Sequence, residues 1–280
     1  MTPLLDRRLL LVTGKGGVGK STVAGVLGRL AARRGKRVLL DCVGTRAPVV
    51  PGVQVAALEG GAALDEYLGR MLPRPLLRRL VKSRLYRRFA AGAPGLGDLM
   101  ALGKVADDAR GGAFDLVIAD IGATGHALQM LAMPRAVARA FGGGLVVSEA
   151  VRIARELADP DHTALVPVTV PEELAVDEAY EIAARAAALG VALGPVVIDR
   201  VNLAPLASRD LPAAPPRAAP LVGEALHRGR AQALRAELDA REIARLGPLA
   251  ARAVRLPELL VEEMTEAEIE RLVEVAGGQL

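Results

Sequence analysis

The chain has 280 residues, of which 51% are hydrophobic and 24% charged. At roughly 100 to 200 residues per domain this is one large domain or two small ones, and the composition excludes a disordered, collagen-like or low-complexity chain. Its 36 basic and 32 acidic residues leave a formal net charge of +4, and with three Tyr, three Phe and no Trp there is little on which to stack nucleobases, so no nucleic-acid partner is expected.

Residues 8–13 (RLLLVT) form a short apolar run that predicts a buried strand. Residues 21–33 then carry helical spacing through Val23, Val26, Leu27, Leu30 and Ala31, and Gly35 stops the helix. A second apolar run at 37–43 (RVLLDCV) follows at once, which makes a strand, helix, strand unit. Further strands are expected at 114–120 (FDLVIAD), 163–170 (TALVPVTV) and 195–201 (PVVIDRV), with an apolar helical stretch from Ala127. Near-continuous apolar strands alternating with helices mean a mostly parallel sheet covered on both faces, a doubly wound α/β fold.

About seventy residues separate the second and third of these strands, with helical-looking stretches at 62–72, 75–90 and 97–109. This insertion, about 60–112, is expected to form a helical cap on the ligand edge of the sheet. Residues 205–220 contain five prolines and read as a loop or linker. Helices at 223–246 and 265–276 are expected to pack back onto a single domain spanning 1–280.

The strongest chemical signal is Gly14-Lys15-Gly16-Gly17-Val18-Gly19-Lys20-Ser21-Thr22. It matches GxxxxGK[ST] after a strand and before a helix, where backbone N–H groups and the helix N-terminus cradle phosphates. Glycines are needed because a Cβ would block close approach of the backbone or the positive φ values of such a loop. Lys20 is placed to reach the β- and γ-phosphates of ATP, and the Ser21 hydroxyl to ligate Mg²⁺. Asp120, at the end of the third predicted strand, is the second oxygen expected near the metal, acting through water.

Lys15 is a cation that a plain phosphate loop does not require. GKGGVGKST resembles the deviant phosphate loop of the ATPases that include the septum-site and chromosome-partition proteins, nitrogenase iron protein and the arsenical pump-driving family. That resemblance implies a nucleotide-sandwich dimer in which Lys15 reaches the partner's phosphates. The segment from Asp120 to His126 (DIGATGH) is similar to the DxAPTGH signature of the arsenical pump-driving, or anion-transporting, ATPases. PGLGDLMALGKV at 94–105 and VTVPEELAVDEAYEI at 168–182 extend the likeness over nearly the whole chain. By resemblance Gly125 offers its N–H to the γ-phosphate and Asp199 stands where the family has an adenine-reading Asn. Asp can accept from the adenine N6 amine but cannot donate to N7. Gly122 and Ala123 depart from the family's Ala and Pro. His126 reads either as an acid or base or as a hydrogen-bonded structural histidine, and Glu172 and Glu173 either as a family motif near the pocket or as helix-start carboxylates.

The first switch departs most. The family's water-activating Asp aligns with Gly44, and a slip of one residue gives Val43 or Thr45. Asp41 is the nearest candidate base, but strand alternation sends it to the face opposite position 44. The implied activity is therefore that of an Mg-ATP-binding, ATP-hydrolysing switch, a homodimer or heterodimer that drives a membrane-pump or protein-delivery partner, including one with a hydrophobic client. The alternative is a hydrolysis-deficient ATP-binding regulatory subunit paired with an intact homologous ATPase. Residues 70–88 hold eight basic residues and no acidic one, which is either a solvated helix face or a surface for an anionic partner or membrane. Cys42 is the only cysteine, so the multi-thiol arsenite site and zinc-linked dimer of some relatives are not expected. No transmembrane helix or secretory leader is expected either, and the cytosol is the expected compartment.

Overall fold

The structure is a computed structural model that describes residues 2–44, 48, 50–58, 96–140, 143–204, 206–212, 220–261 and 264–280. Among the described residues the expected strands form: β1 (Leu9–Gly14), α1 (Lys20–Arg33) and β2 (Val38–Val43) open the chain. After them come β3 (Gln54–Leu58), α2 (Leu96–Arg110), β4 (Leu116–Ala123), α3 (Thr124–Ala140) and α4 (Leu145–Ala158). The chain continues through β5 (Thr163–Thr169), α5 (Glu173–Ala188), β6 (Val197–Val201), α6 (Pro220–Arg245), β7 (Val254–Pro257) and α7 (Glu266–Gly277).

Seven parallel strands make one sheet in the order β3-β2-β4-β1-β5-β6-β7. One face carries Leu10, Val12, Leu40 and Ile118 against Val23, Val26 and Leu27 of α1 and Leu272 and Val273 of α7. The other carries Leu9, Leu11, Leu39 and Val117 against α2, α3, α4 and α5. Because both faces are covered, β1, β2 and β5 are buried at every position, which is why they read as continuous apolar runs rather than alternating ones. The chain leaves β1 toward β2 on one side and later crosses from β4 to β5 on the other. The carboxyl end of β1 is thus a topological switch point, the place where open α/β sheets bind ligands.

Several elements differ from expectation. The edge strands β3 and β7 and the helix α4 have no counterpart in the sequence reading. At five and four residues, β3 and β7 are too short to carry a periodic signal, and β3 is only partly buried. The helical stretch at 97–109 forms, but it is not part of a cap on the ligand edge. Leu99, Leu102, Val105 and Ala106 are fully buried against the sheet, so α2 is a face helix of the α/β core. The expected helices at 62–72 and 75–90, and the basic stretch 70–88, lie outside the described residues.

The register of β2 runs without a shift against both neighbours, with Asp41 opposite Ala56 on β3 and Ala119 on β4. No bulge turns it, so Asp41 shares the face of Leu39 and Val43, toward α2. It is fully buried, and neither carboxylate oxygen has a hydrogen-bond partner among the described residues. Burial pushes its carboxyl up to about 7, with Asp108 adding to the rise and Lys104 opposing it. The folded chain therefore keeps this proton to a higher pH than the unfolded chain, which releases it near 4. Stability from this group is present below about pH 4 and is lost as pH climbs toward 7 and beyond. Asp41→Asn should remove that slope. Urea unfolding across this range should show the variant gaining on wild type with rising pH, by up to about 4 kcal/mol; parallel profiles would contradict the assignment.

Candidate functional site

The loop between β1 and α1 holds the strongest chemistry. Gly14 comes so close to the Val168 carbonyl on β5 that any Cβ would overlap it. Gly17 and Gly19 take φ of +84° and +87°, a left-handed region that side chains disfavour. A Cβ at Gly16 or Gly17 would meet nothing within 4 Å, so the loop is open on the side that those atoms would face. Val18 is buried in the core and ties the loop down. Beyond it, the first turn of α1 presents N–H groups that have no partner within the helix, a natural anion seat.

Lys20 folds back over this loop, its ammonium donating to the Lys15 carbonyl at 2.9 Å. Burial lowers its pKa, and the charges of Asp120 and Glu178 oppose that shift. Lys15 itself is half-buried, and Thr22 follows Ser21 in the first turn of α1. Ser21 donates through Oγ to Asp120 Oδ2 at 2.5 Å, which joins the helix start to β4. Asp120 is fully buried, and its Oδ1 accepts from the Gly122 N–H at 3.4 Å. Thr13 Oγ1 donates to the Gly122 carbonyl at 3.0 Å, fastening β4 to β1 just below the loop.

A hydroxyl and one carboxylate are the all-oxygen set that Mg²⁺ takes from a protein when phosphates and waters fill its other positions. Among the described residues no group of three or more His, Cys, Asp or Glu could hold a metal by itself. The residues present fit magnesium bound together with a phosphorylated ligand. Thr124 Oγ1, one residue past the point where β4 pairs with Gly14, is buried with no hydrogen-bond partner among the described residues. Gly125 follows in the first turn of α3, where backbone donors are also free. Loop, Ser21, Asp120 and the start of α3 thus converge at the ends of β1 and β4.

Other candidates fall elsewhere. Asp41 lies across the sheet from α1 and is not brought to the loop. Gly44, aligned with the family's water-activating Asp, has φ +64°, and a Cβ there would meet none of the described residues within 4 Å. His126 is half-exposed and lies 3.4 Å from Asp98 of α2, so it pairs sideways with the neighbouring helix. Glu172 and Glu173 are exposed at the start of α5.

Asp199 does reach the loop, and its carboxylate presses on Gly19. It is nearly buried, and burial raises its pKa to about 6, with Glu258 adding to the rise and the Arg200 N–H and charge opposing it. Arg200 is the residue that sequence reasoning missed, for its guanidinium donates to the Gly17 carbonyl at 2.5 Å. A polar Asp-Arg pair inside an apolar run was the signal available in the sequence. Beyond it, a cavity of about 530 Å³ opens between the ends of β6 and β7 and the helices α6 and α7, lined by Val201, Asn202, Pro257, Leu259, Arg235 and Arg271.

Comparison with known proteins places this geometry in a family. The model of the CobQ/CobB/MinD/ParA nucleotide binding domain matches residues 9–213. The ATPase BagA of Mycobacterium tuberculosis (strain ATCC 25618 / H37Rv) is 31% identical over 232 aligned residues, which cover 73% of this chain and 68% of that protein. The ATPase ASNA1 homolog 1 of Paramecium tetraurelia is 27% identical over 144 residues, 45% of this chain and 43% of its own. With the matched region running from the first residue of β1 past the end of β6, and the loop, Ser21 and Asp120 inside it, the chain belongs to the CobQ/CobB/MinD/ParA nucleotide-binding domain family.

Proposed function

We propose that the chain is a cytoplasmic Mg-ATP-dependent switch of the arsenical pump-driving type, dimeric around nucleotide, that acts on a membrane-protein or hydrophobic-client partner. The observation that carries the reading is the Ser21–Asp120 pair at 2.5 Å beneath an open glycine loop that also holds the Lys20 ammonium. In this reading residues 14–22 bind the phosphates, Ser21 and Asp120 hold Mg²⁺, and the Gly125 N–H meets the terminal phosphate. When bound, Mg-ATP would supply the phosphoryl group and part of the charge neutralisation, water would accept the phosphoryl group, and the chain would supply the donors and cations that hold the phosphates. Asp199 and the cavity beside it accommodate the nucleoside end. Lys15 acts across the dimer, as the resemblance implies. The ATPase names of the relatives support the activity, and among the described residues no helix is long and apolar enough to cross a membrane, which fits an ATPase that works on a separate membrane partner.

One observation favours the second reading, a subunit that binds ATP but hydrolyses it slowly unless paired with an intact homologue. Position 44, which aligns with the family's water-activating Asp, is a glycine whose Cβ would meet no described residue within 4 Å, and Asp41 is buried on the opposite face. Phosphate binding and water activation are separable parts of this chemistry. A chain with the first and without the second closes on ATP and signals through the segment from Asp120 to Gly125.

Two measurements test these readings. Calorimetry with Mg-ATP should give binding by wild type and a loss of affinity of about a hundredfold for Lys20→Ala, as removal of a charge-assisted contact implies. Equal affinities would remove the phosphate-loop reading. For hydrolysis, Gly44→Asp restores a carboxylate at a φ that Asp tolerates. It should raise turnover by about a hundredfold over wild type, the contribution of a placed general base. Fast wild-type turnover that ignores this change but is abolished by Asp41→Asn would make Asp41 the base.

A further inference from the structure

In a regular strand, Asp199 and Arg200 would point to opposite faces of the sheet. In β6 they do not. The pairing of β6 with β7 shifts register between Ile198 and Val201, and Arg200 sits at φ +55°, the one non-glycine residue with positive φ among the described residues. That conformation is unfavourable for a residue with a side chain, and it persists only where surrounding contacts hold it. Here they do. On the far side of the bulge, the Asn202 N–H and Nδ2 both donate to Asp239 Oδ2 of α6, at 2.7 and 3.0 Å, and the Glu258 N–H donates to the Val201 carbonyl at 3.0 Å.

The result of this turn is that two successive side chains land on the phosphate loop. Asp199 fills the space on the Cβ side of Gly19, and Arg200 donates to the carbonyl of Gly17. The carboxylate and guanidinium also face one another, at 4.0 Å. The Gly17 carbonyl belongs to the same planar peptide as the Val18 N–H, so the two point in opposite directions. Holding the carbonyl on Arg200 therefore fixes the direction of that N–H, which donates to the Lys15 carbonyl at 3.4 Å and closes the turn of the loop. Lys20 is anchored on that same carbonyl.

We propose that Arg200 is a positioning residue, a clamp reaching from the bulged end of β6 that keeps the phosphate loop in its anion-binding shape before nucleotide arrives; the proposal rests on the nucleotide-binding reading of the loop. Preorganisation of this kind raises affinity by removing the cost of ordering the loop on binding. It also accounts for the strained backbone, which a glycine would relieve while losing the guanidinium.

That trade supplies the test, run on the full chain. Arg200→Gly should fold with a thermal midpoint equal to or above that of wild type, because glycine accepts φ +55° without strain. In the nucleotide-free chain, amide hydrogen exchange at Val18 to Lys20 should become about tenfold faster, and calorimetry with Mg-ATP should show affinity weaker by about tenfold, as expected for losing one charge-assisted hydrogen bond. Arg200→Lys, which keeps a cation on a long stem, should recover part of both effects. Loop exchange in Arg200→Gly equal to wild type would overturn the clamp, and so would faster exchange with unchanged affinity. If wild type binds no ATP yet the glycine variant still exchanges faster at these amides, the clamp stands and the nucleotide reading fails.

Discussion

The hydrogen bond from Ser21 to Asp120 joins two residues 99 positions apart in the chain, and the rest of the site depends on it. Ser21 is fixed because α1 starts directly after the glycine loop. Asp120 is fixed because β4 lies beside β1, with Val12 opposite Asp120 in the parallel register. A buried carboxylate is costly unless its oxygens are satisfied, and here a hydroxyl and a backbone N–H satisfy them. The same pair of oxygens is what a magnesium ion would take from this chain. Fold and site chemistry therefore rest on one adjacency, that of β1 and β4, itself maintained by apolar burial on both sheet faces.

Much of this was legible from residues alone, for identifiable reasons. The phosphate loop is local: its glycines are required by backbone geometry within nine residues, so spacing is enough to find it. The central strands are buried on both faces and announce themselves as apolar runs. The Asp41 orientation also followed from simple alternation, because β2 pairs without a bulge on either side. Alternation failed at Arg200, where a left-handed residue breaks the period of two and turns a side chain onto the loop. The adjacent polar pair Asp199-Arg200 marks the place in the apolar run but does not reveal the turn. The edge strands β3 and β7 were too short to signal, and α2 looked like part of a cap because which face a helix buries is decided by the sheet, not by the helix.

Two buried acids show how position sets chemical meaning. Asp120 is held by donors and faces the loop, whereas Asp41, on the neighbouring strand but one residue out of phase, faces α2 with no hydrogen bond from the described residues. A shift of one residue in a strand exchanges the sheet faces. It also exchanges a carboxylate hydrogen-bonded beside the loop for one buried under a helix, whose pKa burial raises. At the end of β2, Asp41 faces α2 and position 44 is a glycine, so among the described residues this strand brings no carboxylate to the loop.

The most direct measurement of this division is the fate of ATP bound to the wild-type chain alone, followed by filter binding and phosphate release on the same sample. The account predicts that Mg-ATP is retained, with phosphate appearing far more slowly than nucleotide exchanges. Prompt phosphate release at the rate of nucleotide turnover, with no second protein present, would contradict it.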